Sequence, residues 1–327
     1  MEQKEKILEV INLRQYFKLA SMTKERYLRA VDGVSFEVFK GETLGLVGES
    51  GSGKTTVGRT LLNLNRATGG EIFYMGRKII SDKDFAYLRK HVAMVFQDPY
   101  SSLNPRMTVM DIIAEPLDVK GLYESKEDRK QKVLSLMTEV GLNPEHAKRY
   151  AHEFSGGQRQ RIGIARALAL SPEFIICDEP VSALDVSVQA QVINTFIDLK
   201  EKRALTMLFI AHDLPVVRHI SDRIAVMYLG RIVELGEAGA VMDTPMHPYT
   251  ELLVSSIPSA DYKKKDKDET VEATSEKTSP IGSNNGCPFR FRCPHARELC
   301  ADSLPELTEI SEGRFSACHR AKDIYGL

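Results

Sequence analysis

The sequence predicts an α/β fold with a mixed, largely parallel sheet, and three observations support this class. Short β-rich runs alternate with amphipathic segments over residues 1–237, which is typical of strands joined by helices. A glycine-rich segment at 48–55 lies between one such run and a helical pattern. At 174–179, four apolar residues precede two carboxylates, as in a buried strand that ends at a ligand-binding edge.

Six runs are predicted strands: ILEVI, TLGLV, HVAMVF, FIICD, TMLFIA and RIAVMYL. No strong strand pattern occurs at about 98–172, where three helical segments follow one another: MTVMDIIAEPL, EDRKQKVLSLMTEVGL and GGQRQRIGIARALAL. We therefore expect a helical subdomain within the α/β domain.

Composition changes near the end of the chain. Residues 259–286 are charged and rich in Ser and Thr, with almost no large apolar side chain, so they cannot bury enough surface to offset their ordering entropy. We expect a flexible linker there. A small Cys-rich extension at 287–327 follows, and it holds four of the five cysteines.

The charge balance argues against a protein that binds nucleic acid by bulk electrostatics. Lys and Arg total 44 against 45 Asp and Glu, for a net charge of −1, whereas counterion release needs a cationic excess. No apolar run approaches the ~18–20 residues that span a bilayer, and the N-terminus lacks the order of a signal peptide. We expect a cytoplasmic chain that reaches a membrane only through a partner.

The segment GESGSGKT at 48–55 matches the pattern GxxxxGK[ST]. Glycines let backbone N–H groups turn toward a phosphate, and the following helix adds its dipole. Lys54 is predicted to contact the β- and γ-phosphates and Thr55 to ligate Mg²⁺. The predicted binding residues here are Gly48, Ser50, Gly51, Ser52, Gly53, Lys54, Thr55 and Thr56.

Four further residues lie at the end of a predicted strand or soon after it. Asp178 suits a Mg²⁺-linked water, and Glu179 is placed to polarise an attacking water. Gln97 follows HVAMVF as a sensor of the γ-phosphate and Mg²⁺, and His212 follows TMLFIA. A lone histidine after a strand is more often a structural residue, so both interpretations stay open for His212.

The helix that opens at 155–158 offers a second set of N–H groups to an anion, from Ser155, Gly156, Gly157 and Gln158. The order of motifs is phosphate loop, glutamine loop, SGGQ signature, acidic strand, a SALD loop ending at Asp185, and switch histidine. In this order the chain resembles the ATP-binding cassette (ABC) ATPases across residues 7–237.

That resemblance implies an ATPase that uses ATP and Mg²⁺. It implies that two cassettes pack head to tail, so that each signature completes the partner's nucleotide site. An aromatic residue near the N-terminus usually stacks on adenine in this family. Tyr16 is our preferred residue for that role, and Phe17 and Tyr27 are alternatives.

The segments VFQDPYSSLNPRMTV and TPMHPYTELLVSSIP are similar to those of oligopeptide and dipeptide importers. The second lies in a helical extension at 238–258 that the resemblance implies. It further implies a second, different ATPase subunit, two membrane permeases and an external peptide-binding protein. This chain is then expected to be peripheral, at the cytoplasmic face of the membrane. The cargo could also be nickel or another small solute. A soluble ABC ATPase acting on ribosomes or DNA is less consistent with a single cassette.

The tail cysteines have the spacing C-x5-C-x6-C-x17-C, without the tight knuckle of structural zinc sites. Four thiolates suit an iron–sulfur cluster, and some importer ATPases that this tail resembles hold a 4Fe–4S cluster there. Zinc, with His295 or His319 replacing one cysteine, is an alternative. Another is a metal-free tail packed through Phe289, Phe291, Leu299 and Phe315. The predicted cluster ligands are Cys287, Cys293, Cys300 and Cys318.

Overall fold

The structure, a computed structural model, describes residues 5–19, 26–257 and 285–326. The predicted linker at 259–286 therefore lies outside the described residues, except for its last two positions. The chain divides into two compact units. One unit comprises Met1–Leu8, Glu37–Thr43 and Phe73–Ala211, and the other comprises Glu9–Phe36, Leu44–Ile72 and His212–Leu327.

The strands are β1 (Lys6–Leu19), β2 (Arg26–Phe39), β3 (Thr43–Val47), β4 (Gly69–Tyr74), β5 (Arg77–Lys78), β6 (Val92–Val95), β7 (Phe174–Asp178), β8 (Thr206–Ile210), β9 (Arg223–Tyr228), β10 (Arg231–Glu237), β11 (Thr308–Ser311) and β12 (Arg314–Ser316).

The helices are α1 (Lys54–Leu61), α2 (Asp82–His91), α3 (Pro99–Ser102), α4 (Val109–Lys120), α5 (Lys126–Glu139), α6 (Gly156–Leu168), α7 (Val186–Arg203), α8 (Leu214–Ile220), α9 (Ala238–Asp243), α10 (Pro248–Ser255), α11 (Leu299–Asp302) and α12 (Ala321–Tyr325). Within the described ranges, no helix is long and apolar enough to cross a membrane.

All six predicted strand runs form strands, and the mixed α/β character of the fold is confirmed. Four helices and two short 3₁₀ turns occupy the segment predicted to be helical. The sequence analysis missed β2, β4, β5, β10, β11 and β12.

The first unit contains a parallel run of three strands. Strand β7 pairs with β6 and β8, with Phe174 opposite Val92 and Thr206. Every residue of β7 and β8 is buried, as expected for parallel strands that are covered on both faces. Because parallel strands end at one edge, the residues after β6 and β7 are brought to the same side of the unit.

The second unit contains a mixed sheet that the C-terminal tail extends. Strand β3 is parallel to β9, β9 is antiparallel to β10, and β10 is antiparallel to β12. Glu234 lies opposite Ser316 in the last pair. Arg314 donates to the Glu234 carboxylate over 3.0 Å, and Glu234 is only 1% exposed. The tail therefore packs into this unit through strand pairing and a buried ion pair.

The apolar residues that we expected to support the tail behave differently from one another. Phe289 is buried and packs against Tyr228 and Tyr249, with ring centroids 5.4 and 5.5 Å away. Phe291 and Leu299 are 44% and 52% exposed, so that part of the expectation is wrong. The physical reason is that Phe289 packs on side chains of β9 and α10, so the tail finds its buried apolar contact in the rest of this unit.

Candidate functional site

The loop at 48–55 connects β3 to α1 and encloses the amino group of Lys54. Lys54 Nζ donates to the carbonyl oxygens of Gly48 and Glu49 over 2.8 and 3.0 Å, and lies 3.4 Å from Ser52 Oγ. The residue is 3% exposed. A cation is therefore held inside the loop, as phosphate binding requires.

Two glycines of this loop lie where a side chain would not fit. A Cβ on Gly53 would lie 2.0 Å from the Ala30 carbonyl oxygen, and one on Gly48 would lie 2.1 Å from that of Met227. Gly53 also has a φ of +105°, in the left-handed region that favours glycine. Gly48 and Gly53 are thus required by close backbone packing as well as by the turn.

Glu49 is held by two residues that the sequence analysis did not single out. Its backbone N–H donates to Tyr249 Oη over 2.9 Å. Its carboxylate accepts two hydrogen bonds from Arg292, at 2.9 and 3.0 Å. The C-terminal segments therefore contact the phosphate loop directly.

The segment His247-Pro248-Tyr249 places this tyrosine. Burial lowers the pKa of His247 to about 3, so the imidazole is neutral and its Nδ1 accepts the Tyr249 N–H over 3.0 Å. Pro248 begins α10, where its missing N–H leaves no unsatisfied donor. This cap fixes the start of α10 and brings Tyr249 to the loop.

In the first unit the structure brings together two predicted catalytic residues. Gln97 follows β6, and its Nε2 donates to Glu179 Oε2 over 3.0 Å. Glu179 has a φ of +44°, and its N–H donates to the Ile210 carbonyl over 2.9 Å. Asp178, the last residue of β7, is fully buried. Gln97 and Glu179 thus meet as the strand order predicts, and Asp178 directly precedes Glu179.

The signature segment forms a capped helix start. Ser155 caps α6: its backbone N–H donates to Gln158 Oε1 over 3.1 Å, and its hydroxyl accepts from the Gln158 N–H over 3.4 Å. A Cβ on Gly157 would lie 2.2 Å from Val188 Cγ1, and one on Gly156 would lie 3.1 Å from Leu184. Small residues are required here because α7 and the loop before it pack against the start of α6.

The remaining predicted residues are placed as follows. Asp185 precedes α7 and is exposed, and His212 is exposed beyond the end of β8. Ser50 and Gly51 are exposed on the loop, and Thr55 and Thr56 lie in the first turn of α1.

Tyr16, predicted to stack on adenine, lies in a polar cluster. Its hydroxyl donates to Asp32, which also accepts from Arg231 over 2.6 Å. Burial raises the pKa of Asp32, but the Tyr16 hydrogen bond and the Arg231 charge outweigh it and lower the pKa below its ordinary value. Tyr27, an alternative, is 40% exposed. The adenine contact stays a prediction.

All four tail cysteines line one cavity of about 20 Å³, together with His295 and His319. Burial raises the pKa of Cys287 to about 11, and it also raises the pKa of Cys293 and Cys318. However, in the part of the chain that the structure describes, no three Cys, His, Asp or Glu side chains are arranged to hold a metal ion. The four thiols are therefore close enough to share a cavity, and as a donor set they suit a metal. They are not placed as the ligands of one, so the iron–sulfur site stays a prediction.

Comparison with known proteins defines the class first. Residues 31–182 match the family model of the ABC transporter. A solved ATP-binding cassette, MJ0796 in a dimeric post-hydrolysis state with ADP and Pi, is 27% identical, with a TM-score of 0.63 over 71% of this chain and 98% of that one. The chain cbiO1 of Clostridium perfringens has the same fold, with a TM-score of 0.64. Fold and motifs are those of ABC ATPases.

The subgroup follows from the C-terminal region and the full-length relatives. Residues 233–300 match the C-terminal region of oligopeptide/dipeptide transporters. The oligopeptide transport ATP-binding protein OppF of Bacillus subtilis is 56% identical over 97% of this chain and 98% of its own length. The oligopeptide transport ATP-binding protein AppF, also of Bacillus subtilis, is 51% identical over 96% of this chain and 97% of its own length. The chain belongs to the family of oligopeptide transport ATP-binding proteins.

The packing around Gly157 leads to a paired prediction within α6. Gly157→Ala should lower the free energy of unfolding by about 1–3 kcal/mol, because Val188 is a stiff β-branched side chain that cannot yield space. Gly163→Ala is the matched control, since a Cβ there meets nothing within 4 Å. It should raise stability by about 0.5–1 kcal/mol through helix propensity. Urea unfolding of the full chain measures both, and equal effects would contradict the packing argument.

Proposed function

We propose that this chain binds and hydrolyses ATP to drive a membrane importer for peptides. The observation that carries the proposal is the extent of the similarity to oligopeptide transport ATP-binding proteins, which reaches 56% identity over 97% of the chain. The match to the oligopeptide/dipeptide C-terminal region at 233–300 extends it beyond the cassette.

In this proposal Lys54 and the loop N–H groups bind the ATP phosphates, and the Thr55 hydroxyl ligates Mg²⁺. Asp178 holds a Mg²⁺-linked water, and Tyr16 stacks on adenine. The support is physical: Lys54 Nζ is gathered into the loop by two carbonyl oxygens within 3.0 Å. A cation fixed in this way is organised before the polyanion arrives.

Glu179 is proposed as the general base that polarises the attacking water. Gln97 senses the γ-phosphate and Mg²⁺, and His212 is the switch residue. The hydrogen bond of 3.0 Å between Gln97 Nε2 and Glu179 Oε2 supports a shared role for these two residues.

The signature at 155–158 is proposed to complete the nucleotide site of a second ATPase subunit of different sequence. Ser155 and the bare N–H groups at the start of α6 form a second anion-binding helix end. One nucleotide does not need two such ends from one chain. Asp185 is proposed as a further nucleotide-binding residue.

The proposed membrane partners are two transmembrane permease subunits, which this chain contacts as a peripheral subunit at the cytoplasmic face of the membrane. An external binding protein supplies the peptide. Nickel or another small solute is the alternative cargo. A soluble ABC ATPase that acts on ribosomes is a weaker alternative function.

Co-purification distinguishes an importer from a ribosome factor. An importer ATPase is recovered with permeases in the membrane fraction, whereas a ribosome factor sediments with ribosomes. Nucleic acid is not a proposed partner.

Glu179→Gln should slow ATP hydrolysis by the assembled importer about 10²–10⁴-fold while leaving ATP binding intact, because the amide keeps the size but cannot take a proton. Lys54→Ala should instead weaken nucleotide binding itself. Hydrolysis rates and equilibrium ATP binding, measured on the same preparations, distinguish the two. A Glu179→Gln enzyme with the wild-type rate would remove this residue from the role of base.

Ser155→Arg should block hydrolysis at the partner's site while its own phosphate loop still binds ATP. The reason is that the bulky cation would occupy the place of the partner's phosphates. The variant must be tested in complex with the second ATPase subunit that co-purifies with this chain. Lys54→Ala is the complementary variant, since it impairs this chain's own phosphate loop. ATP binding by Ser155→Arg equal to wild type, together with undiminished activity of the complex, would rule out completion in trans.

We further propose that the four tail thiols bind a 4Fe–4S cluster. The support is the shared cavity of Cys287, Cys293, Cys300 and Cys318 and the preference of such clusters for four thiolates. Bound, the cluster would cross-link the tail rather than supply redox chemistry, since transport driven by ATP needs no electron transfer.

Protein purified without oxygen should then be brown, with about four irons per chain. Cys293→Ala should lose the colour, whereas Cys177→Ala should keep it, because Cys177 lies on the buried strand β7. Metal analysis is the measurement. Stoichiometric zinc would contradict the cluster and indicate a zinc site instead. A preparation that contains neither metal would contradict both and indicate four reduced thiols.

A further inference from the structure

The phosphate loop carries a carboxylate that is neutralised from the C-terminal tail. Glu49 follows the first glycine of the motif, and its two carboxylate oxygens accept from the two Nη atoms of Arg292, 2.9 and 3.0 Å away. The partners are 243 positions apart in the chain. This fork-to-fork geometry is the directional form of an Arg–carboxylate pair.

A negative charge at this position opposes the binding of a polyphosphate. Glu49 is flanked by Gly48, whose carbonyl accepts from Lys54, and its own carbonyl accepts from the same amino group. The Glu49 side chain is 42% exposed, so water screens its charge only in part. Without a cation beside it, the carboxylate would repel the phosphates that the loop binds.

Arg292 is itself held firmly. Its guanidinium carbon lies 5.9 Å from the ring centroid of Tyr228 and 5.7 Å from that of Phe289, and its side chain is 19% exposed. The hydrogen bonds to Glu49 raise the pKa of Arg292 above its ordinary value. Because Phe289 packs on Tyr249, the side chains that hold Arg292 also support the hydroxyl that binds the Glu49 N–H.

We propose that Arg292 is a positioning residue for nucleotide binding, which acts by neutralising Glu49 and turning its carboxylate away from the phosphates. The tail is thereby part of the machinery that sets ATP affinity. This inference rests on the proposed function, since it assumes that the loop at 48–55 binds the phosphates of ATP.

Two other roles for Arg292 make different predictions. If Arg292 only stabilises the tail, then removing the Glu49 charge cannot restore what is lost with Arg292. If Arg292 contacts the phosphates directly, then Arg292→Ala should weaken binding by the same factor in the Glu49→Gln background as in wild type. Only action through Glu49 predicts that Arg292→Ala has little effect once residue 49 is Gln.

The test is binding of ATP with Mg²⁺ to the full chain, measured by titration calorimetry. Arg292→Ala should weaken binding about tenfold, because it leaves an unpaired carboxylate beside the phosphates. The double variant Arg292→Ala with Glu49→Gln should return to within about twofold of wild type, and Arg290→Ala is the matched control. Arg290 contacts the Cys287 carbonyl and the Phe291 ring, so its loss should leave binding unchanged.

The single variant Glu49→Gln provides a second test, which does not depend on whether a variant with a substitution in the tail still folds. It should bind ATP at least as tightly as wild type, since it removes a repulsive charge. Weaker binding by Glu49→Gln would overturn the inference, and so would a double variant as weak as Arg292→Ala. Wild-type affinity in a folded Arg292→Ala would overturn it as well.

Lys54→Ala separates this inference from the proposed function. If Lys54→Ala abolishes binding and Arg292→Ala has no effect, only the role of Arg292 fails. If Lys54→Ala binds ATP normally, the assignment of the loop fails, and with it the basis of the inference.

Discussion

The structure around the nucleotide loop depends on one steric constraint: the loop backbone lies against two carbonyl oxygens with no room for a side chain. The Cβ positions of Gly48 and Gly53 would lie 2.1 and 2.0 Å from the carbonyl oxygens of Met227 and Ala30. The loop is therefore fitted to β9 and β2, and the Gly230 N–H adds a hydrogen bond of 2.8 Å to the Ser52 carbonyl. Because this shape is set by backbone packing, Lys54 is oriented without help from a ligand.

The parts that the sequence predicted well depend on local patterns and on one general rule. The glycine-rich motif, its strand and its helix are adjacent in sequence, so their order fixes their geometry. The contact between Gln97 and Glu179 spans 82 positions, but it follows from the rule that parallel strands deliver their following residues to one edge. Apolar runs identified β6 and β7 without ambiguity because both are short and buried.

The parts that could not be predicted are long-range pairings between common residue types. Nothing in the sequence distinguishes Arg292 from the other cations, so its partner could not be identified. Strand β12 was missed because it has only 3 residues and pairs with β10 at only two positions, Glu234 opposite Ser316 and Leu235 opposite Phe315. Cysteine spacing predicted a shared site, and the thiols do line one cavity, but spacing could not show how they are oriented.

The long separation in sequence between Glu49 and the residues that contact it has a consequence for synthesis of the protein. The phosphate loop leaves the ribosome early, whereas Tyr249 and Arg292 follow 200 and 243 positions later. At about 5–20 residues per second, the second interval is roughly 12–50 s. During that time the Glu49 carboxylate lacks its arginine, so a nascent cassette is not equivalent to the finished subunit. The order of translation thus delays completion of the nucleotide loop until the segment that contains Arg292 has been synthesised.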